Sequence, residues 1–547
     1  MNPTAAANYI GNRNQPIKST ICFKNKTMQR YNILWADDEI DLLKPHILFL
    51  EDKGYDITPV PSGADAIEKC SENNYDVVFL DENMPGISGL ETLSEIKALK
   101  PTIPVVMITK SEEEHIMEEA IGAKIADYLI KPLNPNQILL SVKKILDNKR
   151  LVSEKTNSSY QRDFRTLGMA FGERLSHEEW AENYKKLVRW ELEIDETEGK
   201  SMADVISMQK DEANSNFAKF VMDNYEEWIN DEVDERPLMS HELFKERVFP
   251  IMKESAQTVY FVLIDNLRYD QWKVLEPIIA DYFTVDNEEM YYSILPTTTA
   301  YARNAIFAGM MPSEIQKRYP NLWVNDDEEE GKNLQEPEFM QILFQQNRIQ
   351  DKFSYNKITN IQAGKDLVSK FSNLDKNKLN VIVYNFVDML SHARTDSTMV
   401  RELAPDESAY RSLTRSWFLH SPLFETLKLI AEKKGKLIIT TDHGTIRCKR
   451  PFKIIGDRNT NTNLRYKHGK NLGFTDKDVY VVRKPERIFL PKENISTAYV
   501  FALEDYFFAY PNNFNYYVNY YKDTFQHGGV SLEEVIIPFV TLSPKNA

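Results

Sequence analysis

From Tyr31 to about Arg150 the chain alternates between two patterns. Short continuous apolar runs, in YNILWADDE, DVVFLDENMPG, PVVMITK and ADYLIKP, each stop on polar residues, as strands buried on both faces of a parallel sheet do. Between them, ADAIEKCSENN and GLETLSEIKAL carry apolar positions at helical spacing. This βα repeat predicts a doubly wound sheet, with chemistry at the carboxyl ends of its strands. From about 151 to 252 the strand pattern vanishes. RDFRTLGMAFGERLSHEEWAENYKKLVRWELEI and SMADVISMQKDEANSNFAKFVMDNYEEWI keep only the helical period, which predicts a helical bundle connecting two α/β domains. From Gln257 the strand-like runs return in TVYFVLIDN, NVIVYNFVD and KLIITTDHG, and VIIPFVTL closes the chain. A long irregular stretch, roughly 445–526, interrupts this larger second α/β domain and is crowded with tyrosine and phenylalanine.

The length of 547 residues exceeds one ordinary core, so about three domains are expected. The predicted boundaries are a loosely ordered extension at 1–27 with Met28 as the functional start, an α/β domain at 28–150, the connector at 151–252 and the second α/β domain at 253–547. A content of 42% apolar and 27% charged residues describes a globular chain. No apolar run approaches the ~18 residues that span a bilayer, and residues 1–27 lack the hydrophobic stretch of a signal peptide. Cys22, Cys70 and Cys448 form no CxxC pair, which fits a reducing cytoplasm. The formal charge of −15 disfavours a general nucleic-acid coat without excluding a local basic pocket. The acidic loop DDEEE at 326–330 reads as solvated surface.

In the first domain Asp37 and Asp38 end the first strand and Asp81 ends the third, while Thr109 and Lys131 end two later strands. A parallel sheet brings these ends to one crevice. Three carboxylates repel one another unless a cation sits among them, and all-oxygen ligation suits Mg²⁺. A carboxylate beside that ion can attack a phosphoryl donor and carry an aspartyl phosphate, with lysine pairing to the new charge. Through DDE, DENMPGISG, MITK and YLIKP, residues 30–150 resemble the CheY-like receiver domain of bacterial response regulators. That resemblance implies phosphorylation of Asp81 by a sensor histidine kinase, and Mg²⁺ held by Asp37, Asp38, Asp81 and the backbone of Asn83. It also implies Thr109 and Tyr128 as a switch pair, Lys131 as the phosphate partner before a cis proline, and a homodimer on phosphorylation.

No helix-turn-helix signature or basic recognition helix follows, so direct DNA binding is not expected. The second α/β domain instead delivers metal-ligand types at successive strand ends. Asp265 follows VYFVLI, Asp388 and His392 form a D-x-x-x-H that stacks on one helical face, Asp442 and His443 follow KLIITT, and His527 lies in FQHGGVSLEEV. Carboxylates mixed with imidazoles suit Zn²⁺ or Mn²⁺, and six such groups are too many for one tetrahedral ion and about right for two. Between them ILPTTTAYARNAIFAG opens a helix (about 300–309) on threonine. A hydroxyl at a helix N-terminus lies where backbone N–H groups welcome an anion, and metal coordination would make it a nucleophile.

The order Asp, Thr, D-x-x-x-H, D-H, late His resembles the PglZ branch of the alkaline phosphatase superfamily, over roughly 255–547. By that resemblance one metal takes Asp265, Thr299, Asp442 and His443, and the other takes Asp388, His392 and His527. Thr299, the second threonine of a P-T-x-T-like pattern, is the expected nucleophile and Thr298 its alternative. Arg303, one turn on, is a candidate phosphate clamp. Residues 445–470 hold eight Lys or Arg against one acid, Asp457. Arg447, Lys449, Arg450, Lys467 and His468 are therefore candidate substrate ligands, and the aromatic tract FNYYVNYYKDTF (514–525) could stack bases. The expected activity is a two-zinc phosphodiesterase on cyclic or linear nucleotides or oligonucleotides. The alternatives are a phosphomonoesterase, or an adaptor whose metal site is structural. Receiver, helical connector and PglZ-type domain in that order resemble the response regulators of type IX secretion in Bacteroidetes, which implies a sigma factor or a secretion component as further partners.

Overall fold

The computed structural model describes residues 31–110, 125–196, 200–324, 333–456, 460–475, 479–492 and 494–545. The extension 1–27, the acidic loop 326–330, Asp457 and Arg458 lie outside the described residues. The chain divides into two compact units, Met1–Val152 and Ser153–Ala547.

In the first unit five strands, β1 (Asn32–Ala36), β2 (Asp56–Val60), β3 (Val77–Asp81), β4 (Val105–Thr109) and β5 (Asp127–Ile130), form a parallel sheet in the order β2-β1-β3-β4-β5. The unbroken apolar runs are explained by burial on both faces. Leu34, Ala36, Val78 and Leu80 pack on the side of Ala66, Leu93 and Ile96, while Ile33, Trp35, Val77 and Phe79 pack on the side of Ile138 and Val142. The adjacency of β1, β3, β4 and β5 sets their carboxyl ends side by side.

The second unit holds the connector and the output domain in one core, so the connector is not a separately packed bundle. Its helices His177–Glu196 and Lys200–Ile229 place Trp180, Phe217 and Trp228 in the same buried cluster as the output strands. Tyr292 is where they meet, with its ring edge-on to Phe217 and Trp228. The main sheet contains β6 (Val259–Ile264), β7 (Phe283–Tyr292), β8 (Phe353–Ile358), β9 (Leu379–Tyr384) and β10 (Lys436–Thr440). The stretch expected to be irregular is a set of small sheets. It contains β11 (Ile446–Arg447), β12 (Arg450–Lys453), β13 (Tyr466–Gly469), β14 (Val479–Val482), β15 (Ala498–Ala502), β16 (Tyr506–Ala509) and β17 (Phe525–Gln526), with the helix Phe514–Tyr521 between the last two. The closing strand, β18 (Ile536–Pro544), returns to the main sheet, whose order is β7-β18-β10-β6-β9-β8. β18 runs antiparallel to both neighbours, whereas β10, β6, β9 and β8 are parallel. The parallel core strands therefore end on the same edge, and that edge carries the D-N, D-x-x-x-H and D-H sequences.

Candidate active site

In the first unit, Asp37, Asp38 and Asp81 offer oxygens within 4.8 Å of one another. Lys131 Nζ bridges two of them, at 2.8 Å from both Asp37 and Asp81. Burial lifts the Asp81 carboxyl above the usual carboxylate range, Lys131 pulls it down, and Asp37 and Asp38 push it up again. The Lys131–Pro132 peptide is cis. Thr109 is buried and Tyr128 half-buried, and their side chains are hydrogen-bonded. Asn83 is exposed, two residues past Asp81.

In the output domain the six candidate ligands gather into two triads, Asp265–Asp442–His443 and Asp388–His392–His527, each with its donor atoms within 4.8 Å. Asp265 follows β6 and Asp442 follows β10, adjacent parallel strands whose pairing is in register. Asp388 lies in the first turn of the helix Phe386–Asp396, and His392 follows one turn later with Nε2 3.6 Å from Asp388 Oδ2. His527 follows β17 and sets Nε2 3.5 Å from Asp388 Oδ1. The triads adjoin, because the His443 and His527 rings stack with centroids 4.4 Å apart.

Both imidazoles are oriented from behind. His443 Nδ1 is 3.1 Å from the Gly444 carbonyl and His527 Nδ1 is 3.3 Å from the Thr297 carbonyl. A carbonyl only accepts, so Nδ1 carries a proton in each ring; Nε2 faces the triad and, whenever the ring is neutral, presents its lone pair there, as metal-binding histidines commonly do. Asp442 Oδ2 is buried without a hydrogen-bond partner. These features fit a divalent cation at each triad. Burial holds the Asp265 carboxyl well above its ordinary range against the pull of Arg303, and Asp442 and Asp388 raise it further. For Asp388, the lift from burial is outweighed by the His527 hydrogen bond and the surrounding imidazoles, so its carboxyl lies below its ordinary value. Burial pushes His443 down to about 4.

Thr299 starts the helical turn Thr299–Arg303, which continues as Asn304–Ala308. Its Oγ1 lies 3.2 Å from Asp265 Oδ1 and 3.1 Å from His443 Nε2. The Thr298 hydroxyl is buried and has no hydrogen-bond partner. Both threonines line a cleft of about 470 Å³ together with Asp388, His392, His527, Tyr466 and Tyr521.

Two expectations are corrected. Arg303 does not face the cleft. It is buried behind the first triad, with Nη1 2.9 Å from Asp265 Oδ2 and Nε 2.8 Å from Glu336 Oε1. A guanidinium committed to two buried carboxylates has no reach to a substrate phosphate. The basic stretch is likewise not gathered at the cleft. Arg447 pairs with Asp523, Lys449 with Asp211, and Arg450 with Glu504 and Asp505, and all three line a separate cavity of about 380 Å³ against the connector. Lys467 and His468 are buried, the lysine donating to the Asn461 carbonyl at 2.7 Å. The three paired cations meet acids brought by other segments, and Lys467 a carbonyl of its own loop, neither of which a charge count along the chain can register.

Two residues at the site escaped the sequence reading. Asn266 adopts φ 64° and joins the triads: its backbone N–H donates to Asp442 Oδ1 and its side-chain amide to Asp388 Oδ1, both at 3.3 Å. An Asn directly after a strand-ending Asp was its one local signal, since Asn tolerates the left-handed region. Glu336, which anchors Arg303 and accepts from Lys357 Nζ at 3.0 Å, had no signal.

Three stretches match known families. Residues 33–143 match the response regulator receiver domain, residues 150–229 the PorX response regulator linker domain, and residues 243–542 the BREX system PglZ alkaline phosphatase-like domain. The transcriptional regulatory protein ResD of Bacillus subtilis is 37% identical over 114 residues, which is 21% of this chain and 47% of ResD. The transcriptional regulatory protein ZraR of Escherichia coli O157:H7 is 32% identical over 142 residues, 26% of this chain and 32% of ZraR. The chain thus spans less than half the length of these relatives. A CheY-like receiver domain protein from Methanospirillum hungatei JF-1 aligns with 22% of this chain and 96% of its own, at 24% identity and a TM-score of 0.22.

Proposed function

The chain belongs to the PglZ alkaline phosphatase-like family, behind a receiver and a PorX-type linker, and we propose that it is a phosphorylation-switched response regulator whose output domain hydrolyses nucleotide or oligonucleotide phosphodiesters. One observation carries the reading: the Thr299 hydroxyl stands against one ligand triad and beside the other, in a cleft lined by no lysine or arginine among the described residues. A monoester would bring a dianionic phosphoryl group, whose second charge would find no side-chain cation on the cleft wall to supplement the bound ions. A diester brings one negative charge, which suits walls of Asn, Thr, Gln and Tyr.

Asp265, Asp442, His443 and Thr299 would hold one ion, and Asp388, His392 and His527 the other, with Zn²⁺ or Mn²⁺ favoured by the donor types. Two such ions would lower the pKa of the coordinated hydroxyl and stabilise the attacking and leaving oxygens of an in-line displacement. In the proposed step the bond from Thr299 Oγ1 to phosphorus forms as the ester bond breaks. The threonine proton leaves to solvent, from which the departing alkoxide takes one. Water then hydrolyses the phosphothreonine and restores the hydroxyl. His443 and Asn266 hold the donors in place, and Arg303 positions Asp265.

In the receiver, Asp81 would accept the phosphoryl group from a sensor histidine kinase, with Asp37, Asp38 and the Asn83 carbonyl serving Mg²⁺ and Lys131 pairing with the added charge. The linker match and domain order support regulation of type IX secretion through a phosphorylation-dependent homodimer, with a sigma factor or secretion component as partner.

The test compares bis-p-nitrophenyl phosphate with p-nitrophenyl phosphate on zinc-loaded protein. The expected result is diester turnover that falls to background in Thr299→Ala while the near-ultraviolet circular dichroism is kept. Turnover mainly of the monoester, or a Thr299→Ala protein that keeps its rate, would overturn the reading.

A further inference from the structure

The helix Phe514–Tyr521 buries none of its side chains fully. Its four tyrosines form two columns at i, i+4 spacing. Tyr516 and Tyr520 are near parallel at 16° with centroids 6.2 Å apart, and Tyr517 and Tyr521 at 10° and 6.1 Å. Across the columns the rings meet edge to face, Tyr516 on Tyr517 at 5.3 Å and Tyr520 on Tyr521 at 4.9 Å. Tyr516 is 64% exposed and Tyr517 37%. Tyr521 packs with Phe514 and Val518 on the cluster of Ile446, Cys448, Phe507 and Ala509, while Tyr516 and Tyr517 face outward beside Asn515 and Asn519; a pair of large aromatic rings left exposed on a helix marks a surface that a partner can cover.

Three features beside the helix bear on what would cover it. At one end of the helix Tyr521 lines the cleft that holds Thr299, His392 and His527, so the aromatic surface is continuous with the place where a scissile phosphate would lie. Along its flank, the Arg401 guanidinium sits 5.6 Å over the Tyr520 ring. At the other end, Lys453 Nζ sits 4.8 Å over the Phe514 ring. Aromatic faces interleaved with cations, leading away from a phosphoryl-transfer site, match a flexible chain of alternating flat bases and phosphates.

We propose that this helix is a stacking platform for the bases of a single-stranded oligonucleotide whose scissile phosphate lies at Thr299. The inference rests on the diesterase reading and adds to it the surface that holds the bases beyond the scissile phosphate. Tyr521 meets the nucleotide next to the cleavage point, and Tyr516, Tyr517 and Tyr520 engage those beyond it. A minimal phosphodiester reaches only the cleft, so the platform selects for chain length. Stacking on phenol faces accepts any base, so it confers little sequence preference.

The test uses the full-length chain and 5′-fluorescein-labelled tetraadenylate. Binding is read by fluorescence anisotropy in the Thr299→Ala background, and turnover of unlabelled tetraadenylate and of bis-p-nitrophenyl phosphate is read with Thr299 intact. Tyr516→Ala with Tyr520→Ala is expected to weaken tetraadenylate binding by about tenfold or more. The ratio of kcat/KM for tetraadenylate to that for the small diester should fall by a similar factor, and Tyr516→Phe, which keeps the ring, should retain binding. An unchanged dissociation constant in the alanine pair overturns the platform even if the small diester is hydrolysed. Absence of tetraadenylate binding to the parent protein also overturns it and assigns the tyrosines to a protein partner. Tyrosine-dependent binding without hydrolysis of either ester would retain the platform and remove the diesterase reading instead.

Discussion

Gly444, directly after the Asp442–His443 pair, offers a geometric test of the site. An added Cβ there would lie 1.9 Å from the Glu533 carbonyl oxygen, where ordinary contact begins at 3.4 Å. The two segments would therefore have to part by about 1.5 Å. Neither side yields easily. The turn carrying Glu533 is held by Glu534, which accepts from Arg465 at 2.6 Å, Ser531 at 2.7 Å and the Gly529 N–H at 2.9 Å. The Asn214 side chain of the connector caps its Leu532 N–H at 2.8 Å. On the other side, Thr441 holds the His443 carbonyl and Ser293 the Asp442 carbonyl, each at 2.8 Å. Gly444→Ala should therefore cost about 1–3 kcal/mol of stability. Since Gly444 also supplies the carbonyl that orients His443, the displacement passes directly to the ligand. A misplacement of about 1 Å at reacting groups can cost ~100-fold in rate, and diester turnover should fall by about that much, with weaker zinc retention against a competing chelator. Gly435→Ala is the control. Its Cβ would meet the Tyr260 ring at 2.5 Å at the far end of β10, so it should lower stability similarly while sparing the rate. A Gly444→Ala protein that keeps both rate and zinc affinity within about twofold of the parent would falsify the coupling between this turn and the metal triad.

Other outcomes follow from the same geometry. Because connector and output domain share one core, a fragment of 153–547 should give a cooperative thermal transition, whereas 243–547 should express as aggregate or show no near-ultraviolet signal. Lys449→Ala and Arg450→Ala should leave diester turnover within about twofold of the parent, since both residues pair with acids around a separate cavity; a loss above about tenfold would return them to the substrate path. In metal-stripped protein His443 stays neutral when folded, with a pKa near 4, but takes up a proton when unfolded at about 6.5. Its contribution therefore lowers stability as pH falls from about 6.5 toward 4. His527, raised by Asp388 after burial has pulled it down, contributes the opposite: stabilisation present below about 6.5 and lost as pH rises through its raised value. Urea midpoints across pH 4–8 for the parent and His443→Gln check the first effect, and His527→Gln the second.

The chain alone determined the run of elements and the residue types at their ends. β6, β9 and β10 are buried on both faces, so each is legible as an unbroken apolar run, and a parallel sheet puts the residues after such runs on one edge. That is why the five ligand-type side chains from Asp265 to His443 could be grouped from the chain alone, whereas His527, which follows the two-residue β17 of a separate small sheet, was joined to them through the family resemblance in residue order. β7, with FTVDNEEMYY, and β8, with FSYNKI, lie at the two edges of that sheet and are half polar, so no apolar run marks them. The tertiary structure alone decided where each charge ended up. Arg303 sits one turn after Thr299, yet Glu336, from a distant helix, draws it behind the site. Arg447, Lys449 and Arg450 face acids that are remote in sequence. Hydrophobic period is a local property and can be read locally, whereas the partner of a buried charge is whichever opposite charge the fold brings within about 4 Å.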